Sequence, residues 1–209
     1  MQSSLANCLY WFFLFIGVTC EKIIALAVAS LLSITAMAEG PAKTDTGINY
    51  NNVEASYESY KINSYTWNGY GLGGNFLLNE SIYATANYSQ MSPETSGLNT
   101  LKVSSAGIGY RLPIASSTDL FTDISYVSMS LNTTNTGYRL TVGAKSKLAD
   151  AVELTGAYSY LDIGTSTYNA FTGMLKLNVT DSVYGFGKYS SMSGTNTATT
   201  YSIGVGANF

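Results

Sequence analysis

Few residues in this chain could do chemistry, and one class is missing. None of its 209 residues is a histidine, and only 11% are charged. Without an imidazole, a serine or cysteine nucleophile lacks its usual general base, and histidine-ligated metal sites are excluded. A carboxylate pair is the remaining route to acid–base catalysis. Glu54 and Glu58 share one face of an extended segment. At about 3.3 Å per residue they stand roughly 13 Å apart, too far to act on one bond. The glycine-rich GYGLGG at 69–74 has the look of a phosphate loop but has no following lysine or helix and falls inside a strand pattern. No catalytic, cofactor-binding or metal-binding residue is therefore expected.

The remaining charges have a spacing of their own. Arg111, Asp123, Lys145, Glu153 and Lys176 fall one to a strand on five successive predicted strands, and their signs alternate. Neighbouring strands lie about 4.8 Å apart, so each charge would have an opposite one across the ladder. Such pairing makes burial of charge tolerable. Glu54, Glu58, Arg139 and Lys188 share the same parity. These nine residues are expected to line the inside of whatever the strands enclose.

The elements that would position them are strands. From residue 48 the hydrophobic pattern has period two, broken by turn residues, with no helical recurrence. Ten strands are predicted, at 48–60, 66–78, 81–91, 101–112, 118–131, 136–148, 151–162, 168–178, 182–190 and 197–209; eight is the alternative count. Tight connections (Asn79-Glu80, Leu112 to Ser117, Ala149-Asp150, Val179 to Asp181) alternate with apparently longer ones (YKINSYT, SPETSGLNT, NTTNTG, IGTST, SMSGTNT). This is the pattern of an antiparallel meander with short turns at one end and longer loops at the other.

Parity decides between a soluble sandwich and a membrane barrel. One face carries Val53, Leu72, Phe76, Ile82, Ile108, Ile124, Leu140, Leu154, Phe171, Leu175 and Val183; the other is rich in Gly, Ser, Thr, Asn and charge. Tyr57, Tyr70, Tyr88, Tyr126, Tyr138, Tyr158, Tyr189 and Tyr201 all lie on the apolar parity, near strand ends beside the longer loops. Ordinary β-propensity would scatter them along the strands. Gathered in one ring, they form an interfacial aromatic girdle, with rings in lipid and hydroxyls among headgroups. A β-structure in lipid must close on itself. The expected fold is thus an all-β, antiparallel, up-and-down transmembrane barrel with membrane lipid as its first partner. Inward glycines (71, 73, 107, 109, 143, 204, 206) beside Tyr83, Phe121, Tyr184 and Phe186 would fill it as small against large. Ten strands leave at most a thin water path.

The N-terminus is a targeting region. Lys22 precedes the apolar run at 23–34, and Ala36 and Ala38 occupy small-residue positions before Glu39. This predicts a signal region at 1–38, cleaved after Ala38, and a single domain at 39–209. A misassigned start accounts for the second apolar run in 1–20. Both cysteines, Cys8 and Cys20, would then lie outside the mature chain. A net charge of −3 without basic clusters excludes nucleic acid as a partner.

With its signal region, alternating meander and terminal Phe209, the chain resembles the small outer-membrane β-barrels of Gram-negative bacteria. VEASY (53–57), GYGLGGNF (69–76) and STDLFTDISY (117–126) are similar to a barrel family associated with quorum sensing. The broader resemblance implies a porin-like or structural surface role, with ligand recognition by the outer loops as the alternative. It also implies that Tyr201 and Phe209, in the last strand YSIGVGANF, are read by the outer-membrane assembly machinery. Known enzymes on small outer-membrane barrels depend on a histidine that this chain lacks.

Overall fold

The computed structural model describes residues 46–209, and the predicted signal region, its cleavage site and both cysteines lie outside them. Ten strands follow one another: β1 Asn52–Ile62, β2 Tyr65–Leu77, β3 Ile82–Pro93, β4 Leu101–Ala115, β5 Thr118–Ser130, β6 Thr134–Ala149, β7 Val152–Ile163, β8 Ser166–Asn178, β9 Val183–Gly194 and β10 Ala198–Asn208. Each pairs antiparallel with its sequence neighbours, and β1 pairs with β10, which closes the barrel. Closure leaves no sheet edge, so every strand has a hydrogen-bonding partner on both sides.

The alternation is faithful around the whole wall. Val53, Leu72, Ile108, Ile124, Phe171, Ile203 and Val205 point outward and are exposed. An apolar band running round every strand is far larger than the patches soluble monomers expose, and it suits a surface solvated by lipid. Two wall irregularities, between Pro113 and Ala115 and between Lys147 and Ala149, are bulges at one end of the barrel. Proline cannot donate to a ladder, which explains why the first bulge falls there.

Inside, rings lie flat on glycines. Tyr83 sits directly across from Gly109 and Tyr184 from Gly206, and a Cβ at either glycine would collide with the facing ring. Phe121 opposes Gly143 and Phe186 opposes Gly204 in the same way. Each aromatic thus covers its partner's bare backbone, which pins the register at four places in the wall.

The connections differ from expectation. YKINSYT and IGTST are tight hairpins with Asn63-Ser64 and Gly164-Thr165 at their tips. Asn63 (φ 52°) and Gly164 (φ 62°) adopt the left-handed backbone that primed turns need. NTTNTG and SMSGTNT shrink likewise to Leu131–Thr133 and Thr195–Thr197, because Thr134 and Asn135 extend β6 and Ser191–Gly194 extend β9. Only the connection at 94–100 is long. It is tied down by Trp67 Nε1 donating to Asn99 O (3.1 Å) and Asn68 Nδ2 donating to Glu94 Oε1 (2.6 Å).

The largest difference is at the start. Residues 48–51, predicted to begin the first strand, turn into the lumen instead. Asn49 Oδ1 accepts from Asn51 N (2.7 Å), and Asn51 Oδ1 accepts from Leu77 N (2.7 Å), a side-chain corner that ends the ladder. Beyond this corner Thr46, Ile48 and Tyr50 are buried, and Tyr50 has no exposed surface.

Candidate functional site: the lumen

Three layers succeed one another along the interior. The first, at the end bearing the ladder's two termini, holds most of the predicted belt. Arg111 pairs with Asp119 (Nη2–Oδ2 2.9 Å) and Lys176 with Glu153 (Nζ–Oε1 3.3 Å), all four nearly buried. Glu153 and Lys176 are directly opposed, as are Asp119 and Lys145. Lys145 interacts electrostatically with Glu54, Glu153 and Asp119. Glu54 Oε1 accepts from Tyr184 Oη (2.9 Å), whose ring lies 4.0 Å under Lys176 Nζ.

Asp119 is absent from the predicted belt although it has the right parity. The pattern placed Asp123 beside Arg111, but Asp123 is opposed to Thr141, accepts from Ser125 Oγ (3.1 Å) and interacts with Arg139. Asp119 is opposite Pro113, one inward position beyond Phe121, which faces Arg111, so it reaches Arg111 along the diagonal on the side of the barrel end, while Asp123 lies on the other diagonal. A signal did exist: Asp119 stands second in its strand after the turn and shares parity with Phe121 and Asp123.

The N-terminal segment is seated in this layer. Arg111 Nη2 donates to Thr46 Oγ1 (3.0 Å). The Tyr50 ring lies 5.0 Å from that of Tyr83, with the Arg111 guanidinium 4.8 Å and Lys145 Nζ 4.1 Å from its centroid. Ile48 and Tyr50 pack with Tyr83, Phe121 and Ala157. Cations over an aromatic face are held by the ring's quadrupole, more strongly where water is excluded.

The middle layer is a belt of hydroxyls. Ser56, Ser105, Ser125, Thr141, Ser159, Thr172, Ser190 and Ser202 face inward, with bonded pairs Thr141–Ser159 (3.0 Å) and Thr172–Ser190 (3.0 Å). Glu58 stands among them, accepting from Ser56 Oγ (3.1 Å), and Lys188 lies across Ser202 from it. Lys188 thus keeps company with hydroxyls and not with the ion-paired layer.

The third layer corrects the expected polar lumen. At the far end the inward residues are Trp67, Met91 and Leu101, joined by Tyr60, Ile62, Val103 and Met129. Val127, Leu161 and Ile163, with Tyr168 and Met192, continue the same lining. Near the ends of these strands the inward parity becomes apolar, and the side chains pack on one another across the mouth.

The predicted girdle residues all point outward, and seven of the eight are well exposed, Tyr158 being half-buried. Tyr57 opposes Tyr70, Tyr126 opposes Tyr138 and Tyr189 opposes Tyr201. Phe209 is exposed at the opposite rim, stacked on Phe76 at 6.5 Å, with its N–H donating to Asn51 O (3.1 Å).

The family model of the outer membrane protein beta-barrel domain matches residues 24–209. The chain belongs to that outer-membrane barrel family. Among solved structures it is similar to an outer membrane channel from Pseudomonas putida F1, at 7% identity and a TM-score of 0.52, over 82% of this chain and 100% of that one. It is also similar to the KdgM porin (13% identity, TM-score 0.44, 76% and 99% covered). A third is the N-terminal barrel of Pseudomonas aeruginosa OprF (13% identity, TM-score 0.37, 78% and 100% covered). At such identities the likeness is one of fold. No curated protein matches the chain in sequence. The protein is thus an outer-membrane β-barrel, with its lipid-facing band and closed wall accounted for by membership.

Proposed function

We propose that this outer-membrane barrel is a narrow, non-enzymatic, porin-like channel whose resting state is closed. The observation that carries this reading is the hydroxyl belt. Barrel interiors are polar whether open or plugged, but a plugged one is filled by bulky or ion-paired side chains, whereas a collar of small Ser and Thr side chains leaves room for water and offers it hydrogen-bonding partners. Below it, compensated charges avoid a strong field of either sign, and above it the apolar layer acts as a constriction that excludes water until it widens. Lack of histidine and the separation of Glu54 from Glu58 support the absence of catalysis.

Several companion proposals follow from the same reading. The signal region is cleaved after Ala38, the end bearing the ladder's termini faces the periplasm, and the tyrosine ring lies among outer headgroups. Phe209, with Tyr201, is recognised by the assembly machinery. Planar-bilayer recording of the purified protein tests the channel. Small, brief openings are expected, and Met129→Asp, which wets the apolar constriction, should lengthen them. Silence in both proteins would leave a structural surface role.

The apolar layer favours a second reading, capture of a small apolar ligand at the outer mouth. Quenching of Trp67 fluorescence by such a ligand, at unchanged conductance, would favour it over the channel. Recognition of a protein partner by the loops is weaker, since the tight turns fall well short of the roughly 800 Å² per side of a standard interface.

A further inference from the structure

We propose that residues 46–50 are a removable plug, seated in a preformed cage and hinged at Asn51, that shuts the lumen at the end bearing the ladder's termini. The proposal that its withdrawal admits ions rests on the channel reading; its seating and release do not.

Three features of the segment argue for a part made to leave. First, its hold on the wall is made mainly by side chains. The β1 ladder to β10 and β2 begins at Asn52, opposite Asn208 and Asn75. Asn51, at the hinge, still accepts one backbone bond from Phe209 N–H (3.1 Å). Beyond it the holds include Thr46 on Arg111, the packing of Ile48 in the cluster with Tyr83, Phe121 and Ala157, and Tyr50 in its cage. A strand would have to break a ladder of backbone bonds to move; this segment lies outside the ladder.

Second, the cage stands without its occupant. Arg111 keeps its ion pair with Asp119, and Lys145 keeps Asp119, Glu54 and Glu153 as neighbours, so removal of Tyr50 leaves no cation uncompensated. A residue whose departure orphaned a buried charge would be fixed in place. Tyr50 contributes a ring and no charge, so it can depart at moderate cost.

Third, a turn lies at the right place. Gly47 has φ +64°, a left-handed conformation natural to glycine, with Lys147 beside the place where a Cβ would stand (Nζ at 3.5 Å). It lets the chain bend between Thr46 and Ile48 so that both face the lumen. In a straight extension of β1 the same residues would run out of the barrel mouth. Two arrangements are thus available to one short sequence, inward in the cage and outward beyond the rim.

A thiol placed behind the plug tests this directly. Ala157 belongs to the same buried cluster as Ile48 and Tyr50 and has the lumenal parity, and Ala157→Cys changes little in volume. In the full chain carrying Cys8→Ser and Cys20→Ser, this thiol should react slowly with a charged maleimide in lipid nanodiscs. Ile48→Ser with Tyr50→Ala should raise that rate at least tenfold, while Tyr50→Phe, which keeps the ring over both cations, should leave it near the starting value. The plug variants lie outside the strands, and heat-modifiable gel migration verifies the folded barrel. Equal rates in all three proteins would overturn the plug. A faster rate accompanied by larger conductance supports plug and channel together; a faster rate with silent bilayers retains the plug and ends the channel reading.

Discussion

At the end bearing the ladder's termini the inward positions hold Arg111, Asp119, Lys145, Glu153 and Lys176, while at the other end the inward positions of β2 to β5 and β7 hold Trp67, Met91, Leu101, Val127, Leu161 and Ile163. Both ends are filled by buried side chains, but by different physics. Charges are tolerated only when every one has a partner, so the first region is a network in which each member depends on the others. Apolar side chains need only neighbours of suitable volume, so the second tolerates exchange and loses stability by increments. A ten-stranded interior can be filled by either means, and here each end uses one.

The sharpest way to break this comparison is to remove one member of the network. Asp119→Ala leaves Arg111 buried without its ion partner and should cost about 3–5 kcal/mol, read by urea unfolding in micelles. Asp119→Leu combined with Arg111→Met removes both charges and should recover most of the loss. If the double variant were as unstable as the single one, packing and not charge would govern this end. At the apolar mouth, Met91→Ala should cost about 2–3 kcal/mol through the cavity it leaves, with no such rescue available. The Asp119 and Met91 effects should add to within about 0.5 kcal/mol, because the sites share no partners. Strong coupling between them would show that the two halves form one unit.

How far each half was legible follows from what carries its signal. Strand number and inside-outside parity come from period two, which any wall buried on one side must obey, and Glu153–Lys176 follow because they are direct cross-strand neighbours. Asp119 and Asp123 flank Phe121, the residue opposite Arg111, at equal spacing on the same parity, and period two alone does not choose between the two diagonals. Trp67 and Met91 were on the correct parity, but apolar residues near strand ends look alike whether they line a mouth or face lipid. The inward turn at Tyr50 left a short signal: Ile48 and Tyr50 are apolar on the parity that is polar in β1, so the alternation changes phase at Asn51-Asn52, too brief a break to separate from a strand that simply begins earlier. Asn49 and Asn51, as potential corner residues, marked the same place.

Between the two halves, the hydroxyl belt should behave like neither. Thr141→Val removes one partner of the Thr141–Ser159 bond without creating a cavity, and should cost about 1 kcal/mol in the same urea assay. A loss as large as that of Asp119→Ala would place the belt within the charged network, and its dry packing would then count against a water path.

The smallest effect belongs to the outside of the wall. Tyr201 is exposed and its ring lies 5.2 Å from that of Tyr189. If the outward tyrosines form the proposed girdle, most of what Tyr201 contributes comes from its ring in lipid, and its hydroxyl exchanges one headgroup or water partner for another. Tyr201→Phe should then change unfolding free energy in bilayers by less than about 0.5 kcal/mol, within the usual range for surface substitutions. Tyr184→Phe makes the same chemical change inside the lumen, but it deprives the Glu54 carboxylate of its donor and should cost about 1.5–3 kcal/mol. Equal costs at the two positions would mean that Tyr201 is bonded to the protein wall and not to the membrane interface, and the tyrosine ring would then be part of the barrel's packing.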